Sequence, residues 1–426
     1  MAERAGLSFE QAPPFSLPLR FFLTAPLFLL GAGLLIAFFP DALANRWTPA
    51  ALGATHALTL GFLAMVMLGA LMQMLPVVAG AVLPAPVAVA WIAHAALGLG
   101  TPLLIAGFLG ATSIFSAAAV LLGAGFAIFL IAAAWSLARA VRGVTAGGIR
   151  LAAVALVLTV VLGLALVFVR TGSLALPHGD ALSAAHASIG LLGWVLLLVV
   201  GVAYQVVPMF QLTPPYPPAL ARWLAGTLFA LLLVHAAVAP FLPVVAPLVD
   251  AGLAAGIVVF AVATLRLQAL RRRKLADVTL DYWRVAMASL VVAAALWAAA
   301  QGVPGWAASD AYPVLVGVVF IVGFAVSVVA GMLYKIVPFL AWFHLQSQLQ
   351  AKAGSIPTMK QMIAEPALRW QFRIHLASLA LLVVAALLPG ALGVLAGGAV
   401  SVSALLLGFN LWTAVTRFRS YGGRLN

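Results

Sequence analysis

Seven histidines and no cysteine limit the chemistry open to this 426-residue chain. Without thiolates there is no iron–sulfur cluster, no Cys-ligated zinc and no cysteine nucleophile. Any metal or haem must be held by histidine, by the ten methionines or by oxygen ligands. His56 opens the segment HALTLG and His186 opens HASIG, and they precede Pro76 and Pro208 by 20 and 22 residues. His235 lies late in the next apolar run, and His178 and Asp180 precede His186. At 1.5 Å per residue, His56, His186 and His235 share a layer roughly 5–10 Å inside one end of their helices. Imidazoles so placed suit haem iron or copper, and equally suit hydrogen-bonded structural roles at helix ends.

Further candidates surround that layer. An α-helical turn of about 100° per residue puts His56, Leu60, Leu63, Met67 and Met74 on one stripe. This makes Met67 a soft ligand for copper or haem, or simply a filler of gaps between helices. Arg46 and Arg170 adjoin the layer and could neutralise haem propionates, or could merely mark helix boundaries. Gln73, Gln205, Lys335 and His94 are polar residues inside apolar runs. Lys335 reads first as a residue reaching toward the nearer face, with proton handling or anion binding as the alternative. His344 and His375 read as ordinary interfacial polar residues.

The elements that position these groups follow from composition. At 65% apolar and 7% charged, the chain cannot cover a soluble surface, which excludes disordered and secreted disulfide scaffolds and places it in a bilayer. Apolar runs long enough to span number about twelve, near 18–39, 52–75, 85–109, 112–138, 150–169, 185–210, 221–244, 246–265, 284–303, 311–343, 372–389 and 391–414. The least distinct break falls at Gly110. Of 22 Lys and Arg, 19 fall on one side, including Arg4, Arg142, Arg273 and Lys352. Arg46 and Arg170 fall on the other, and Lys335 lies within a span. By the positive-inside rule both termini are cytoplasmic, as in a bacterial inner-membrane protein. No nucleic-acid partner is expected, because the basic run at 271–274 reads as a loop facing anionic lipid. With Asp41, Asp180, Asp250 and Asp310 assigned to the outer side, no carboxylate remains within the spans, which argues against proton pumping.

A pattern recurs three times: Gly69 to Gln73 to Pro76, Gly201 to Gln205 to Pro208, and Gly331 to Lys335 to Pro338. The prolines are 132 and 130 residues apart, and Pro86 to Trp91, Pro218 to Trp223 and Pro366 to Trp370 follow them. The expected fold is an all-α integral membrane protein, one membrane domain over 1–426, with repeats about 18–148, 149–280 and 281–426. Four helices per repeat make the units parallel, around a pseudo-threefold axis along the membrane normal. The second, sixth and tenth helices are expected to be inner, because their glycines permit close approach.

Twelve helices in three parallel units, with histidines on the second, sixth and seventh, resemble the catalytic subunit of the haem-copper oxidase superfamily. The segment THALTLGFLAMVMLG around His56 also resembles the corresponding helix of NnrS-type membrane haem proteins. The resemblance implies that His56 matches the second-helix ligand of a low-spin haem, His186 the sixth-helix copper ligand and His235 a copper ligand of the seventh helix. The chain departs from the oxidases at three points. There is no His in 311–343, no Pro-Glu-Val-Tyr after His186, and a single His235 where the oxidases have a pair. Oxygen reduction at a haem–copper pair is therefore not expected. Two function classes follow. One is a protein binding haem b, with or without copper, for electron transfer or nitric-oxide metabolism, served by an electron-donor protein or quinol. The other is a non-enzymatic protein handling copper or haem for an oxidase assembly partner. A small-solute transporter is a third, plainer outcome.

Overall fold

Hydrocarbon offers backbone groups no hydrogen-bond partner, so an apolar chain of this kind must satisfy its peptides within helices. The computed structural model describes residues 13–141, 143–175, 179–242, 244–272, 274–303, 305–349, 356–388, 390 and 392–425. Arg4, Arg142, His178, Arg273 and Lys352 lie outside them. Among the described residues, twelve helices are long and apolar enough to cross a membrane: α1 Ser16–Phe38, α2 Pro49–Val77, α3 Pro86–Phe108, α4 Thr112–Arg139, α5 Val144–Arg170, α6 Gly179–Gln211, α7 Pro218–Val238, α8 Ala246–Ala269, α9 Val278–Gly302, α10 Ala311–Leu349, α11 Glu365–Leu387 and α12 Gly393–Ser420. They match the twelve apolar runs, and no strand occurs among the described residues. The break between α3 and α4 falls at Gly110, whose φ of 122° suits glycine alone.

Two expectations change at the helix ends. α9 begins at Val278 rather than near 284, because Asp277 caps its first turn by accepting from the Thr279 amide at 3.0 Å. Asp281 thus lies inside a span, and Asp250 sits in the second turn of α8. Hydropathy alone misses such turns, which are helical without being apolar.

α2, α6 and α10 are the interior helices. Their spans are 78, 67 and 89% buried, against 17–50% for the other nine. Each contains an eight-residue π-helical stretch, Ala57–Ala64, Ile189–Leu196 and Val319–Val326, ending twelve residues before Pro76, Pro208 and Pro338 respectively. The first and second stretches both pack against the third.

Glycine spacing explains these stretches. Each interior helix carries two glycines eight residues apart: Gly61 and Gly69, Gly193 and Gly201, Gly323 and Gly331. A Cβ on Gly61 or Gly69 would strike Phe28 or Phe21 of α1, at 2.2 and 2.8 Å. On Gly193 or Gly201 it would meet Ala155 or Gly148 of α5, and on Gly323 or Gly331 it would meet Ser289 or Tyr282 of α9. The partners are seven residues apart in every case. Seven residues bring an α-helix back to nearly the same face, within about 20°, and an eighth overshoots. The π stretch absorbs that extra residue, so both glycines press on the same neighbour. It also breaks the stripe expected from His56 to Met67, because a constant 100° per residue does not carry across residues 57–64.

The contact at Gly201, which meets backbone rather than a side chain, gives a test. A Cβ at Gly201 would lie 2.9 Å from the Gly148 Cα, and backbone cannot move aside. Gly201→Val is expected to cost about 1–3 kcal/mol and to lower the thermal midpoint in detergent by several degrees. Gly147→Ala, with nothing within 4 Å of the added Cβ, leaves the midpoint unchanged or slightly raised.

Candidate functional site

His56 ends the α-helical turn before the first π stretch, and His186 lies three residues before the second. Their rings come together, with centres 6.3 Å apart and planes inclined by 15°. The His56 Nδ1–H donates to the Leu52 carbonyl of its own helix at 2.8 Å. The His186 Nδ1–H donates to the Thr159 carbonyl of α5 at 3.0 Å. Because a carbonyl can only accept, both bonds place the proton on Nδ1, and neither Nε2 has a partner among the described residues. Gly163 makes the second bond possible, since a Cβ there would stand 3.0 Å from His186 Cε1. Both imidazoles are half-buried. Phe108 closes one side, its ring 5.0 Å from that of His56, and the Arg170 guanidinium lies 5.5 Å from the Phe108 ring.

Two imidazoles sharing one metal, at about 2 Å per bond and roughly 1 Å from nitrogen to ring centre, stand about 6 Å apart when they approach from opposite sides. The observed separation fits that arrangement. No cluster of three His, Cys, Asp or Glu suited to a metal occurs among the described residues. The pair therefore fits a centre needing two protein ligands, as when a macrocycle supplies the rest or when copper is two-coordinate. Among the described residues no third histidine joins the pair, as a three-histidine copper centre would require.

The other candidates are placed elsewhere. His235 is paired with Asp250 of α8, Nδ1 to Oδ1 at 2.6 Å, beside a small cleft against Ala181, Ala184 and Ala185. Arg46 is exposed and stacks on its neighbour Trp47 at 4.5 Å. Met67 is buried. His94 bonds Thr24 through Nε2 at 2.9 Å and meets the edge of Phe21. Gln73 is buried, and its Oε1 has no partner among the described residues, whereas Gln205 is half-buried.

Sequence reasoning missed a buried polar cluster joining α9 to α12. The Gln371 Oε1 accepts from the hydroxyls of Tyr282 and Tyr334. Gln371 Nε2 donates to Ser403 Oγ at 3.0 Å, and Asn410 Nδ2 donates to the Tyr334 hydroxyl at 2.9 Å. Nearby, His375 Nε2 lies 2.7 Å from Ser327 Oγ, so His375 is a core residue rather than an interfacial one. An amide at 410, inside the last apolar run, and another at 371, at the edge of the eleventh, were the available signals. With its main donors and acceptors matched, this cluster reads as a staple of the helices.

Lys335 does not reach for the surface. Its Nζ donates to Asp277 Oδ2 at 2.7 Å, tying α10 to the cap of α9. Burial works against the Asp277 carboxylate, but the Lys335 ammonium and the bonds from Thr279 outweigh it and hold the carboxyl below its usual range. A depressed folded pKa contributes stability that is complete above the ordinary carboxylate value, about 3.9, and is lost as pH falls through the folded value. Asp277→Asn strands the lysine and is expected to cost about 1–3 kcal/mol near neutral pH. It should also flatten the stability profile below pH about 4, as measured by denaturation in detergent across pH. An unchanged acid limb would show that the pair contributes nothing. Compared with known proteins, the chain matches no family model and no curated protein.

Proposed function

We propose that this is a haem-binding membrane protein of oxidase-like fold, serving electron transfer or nitric-oxide chemistry and not proton-pumping oxygen reduction. In this reading its twelve helices form three parallel four-helix units around a pseudo-threefold axis, within one domain of a bacterial inner membrane and with both termini cytoplasmic. The common register of the π stretches, glycine pairs and prolines supports the threefold arrangement. The strong excess of Lys and Arg on one side supports the orientation.

One observation carries the haem assignment: His56 and His186 face each other at ligand spacing with both Nδ1 atoms committed to carbonyls. Such bonds fix the tautomer, hold the ring plane and raise the basicity of Nε2. The oxidase resemblance assigned these two histidines to separate haem and copper centres, and their proximity favours one shared centre. A haem b held there would supply reversible one-electron chemistry. The chain's own residues would orient it through the two imidazoles, limit water with Phe108, and place the Arg170 charge nearby. A quinol or an electron-donor protein would deliver the electron.

A second reading is favoured by the same count of ligands. Two half-exposed imidazoles also suit a copper ion held for transfer, in a protein that passes copper or haem to an oxidase under assembly. Absorption spectra with metal analysis of the purified protein separate the two. The haem reading expects a Soret band and reduced-state peaks that disappear in His56→Ala and in His186→Ala and persist in His235→Ala. Gly163→Val, which crowds His186, should weaken haem retention by roughly 10–100-fold, as loss of a ligand's support does. Stoichiometric copper without a Soret band, lost in the same two variants, would transfer the assignment to copper handling. Neither signal would sink both.

A further inference from the structure

The tryptophans that follow each repeated proline take no part in the histidine site. Trp91, Trp223 and Trp370 stand five residues into α3, α7 and α11, at the same depth of about 7.5 Å along their helices. They are 58, 63 and 59% exposed. Each carries a guanidinium over its ring. Arg20 Cζ lies 3.8 Å from the Trp91 ring centre, Arg222 lies 5.1 Å from that of Trp223, and Arg373 lies 5.2 Å from that of Trp370. The pairing is reached by different routes, because Arg20 comes across from α1 while Arg222 and Arg373 belong to the helix of their own tryptophan. A fourth such pair, Arg139 over Trp135 at 3.6 Å, closes α4 on the same face.

Among the described residues, none of these arginines pairs with a carboxylate. The ion pairs among the described residues involve His235, Arg284, Lys335 and Arg369 instead. Arg20 donates through Nε to the Ser16 carbonyl, and its Nη1 is buried without a partner among the described residues, which leaves Nη2 as the donor for a headgroup. A guanidinium stacked on an indole keeps its in-plane N–H donors, while the ring fixes it at the boundary between hydrocarbon and water. Phosphodiesters of lipid headgroups lie at that boundary. The positive-inside reading of the sequence assigns 19 of the chain's 22 Lys and Arg to this side, a field that favours anionic headgroups over zwitterionic ones.

The geometry points to three seats for anionic phospholipid headgroups in the leaflet that meets the Lys/Arg-rich face, each an arginine stacked on Trp91, Trp223 or Trp370. The chain is reconstituted into nanodiscs of phosphatidylcholine and phosphatidylglycerol, and the lipids retained after gentle release are counted by native mass spectrometry. The wild type is expected to keep three more phosphatidylglycerols than R20Q/R222Q/R373Q. R271Q/R272Q/K274Q, which removes as much charge from the exposed loop, keeps the wild-type number. R20K/R222K/R373K, which preserves charge but not stacking, also falls below wild type. Should the glutamine triple fail to insert, R222Q and R373Q alone, at exposed sites, each lose one lipid. Equal loss in the loop triple, or none in the glutamine triple, would reduce the effect to diffuse surface charge and overturn the proposal. So would a dimer that depends on these arginines in place of bound lipid.

Discussion

Two glycines eight residues apart must meet positions seven apart on a neighbouring helix, and much of the structure follows from that mismatch. In a membrane the driving force between helices is close packing rather than exclusion of water, so losing either glycine contact is costly. An α-helix cannot present both glycines to one neighbour. A π stretch can, because it takes in one residue while keeping every peptide hydrogen-bonded. The residues from Gly61 to Gly69, Gly193 to Gly201 and Gly323 to Gly331 are buried throughout, with Phe62, Trp194 and Phe324 directly after the first glycine of each. The centre of the protein is consequently a closely packed, largely apolar layer.

That layer divides the polar chemistry in two. Toward one end His56 and His186 face each other where their π stretches begin. Toward the other, Lys335 meets Asp277, and Gln371 gathers Tyr282, Tyr334 and Ser403. The two ends differ in kind. The amide cluster has its main donors and acceptors matched, which makes it a structural staple. The histidine pair has both Nδ1 atoms matched and, among the described residues, no partner at either Nε2. The proposed haem or copper centre rests on this difference, together with the resemblance to membrane haem proteins.

Much of the architecture was legible in the sequence. The twelve spans, the break at Gly110 and the interior place of the second, sixth and tenth helices follow from hydropathy and glycine-bearing patterns, because burial in lipid leaves few alternatives. His56 and His186 were legible as a pair from their distances to Pro76 and Pro208. Met67 was placed on their stripe by assuming an unbroken α-helix, and the π stretch removes that basis. The earlier glycine of each pair was also in the sequence, but its meaning depends on Phe28, Ala155 and Ser289, which lie on other helices.

By itself, then, the sequence determined that the chain forms helices long and apolar enough to cross a membrane and which three of them lie innermost. Each is a property of a single segment and its solvent. Only the tertiary structure decided which polar groups are partners: Lys335 with Asp277, His235 with Asp250, His375 with Ser327, and His56 with His186. These pairings span as many as 130 residues of chain, and they are set by how neighbouring helices dock, a matter of side-chain volume and backbone phase that no local pattern records.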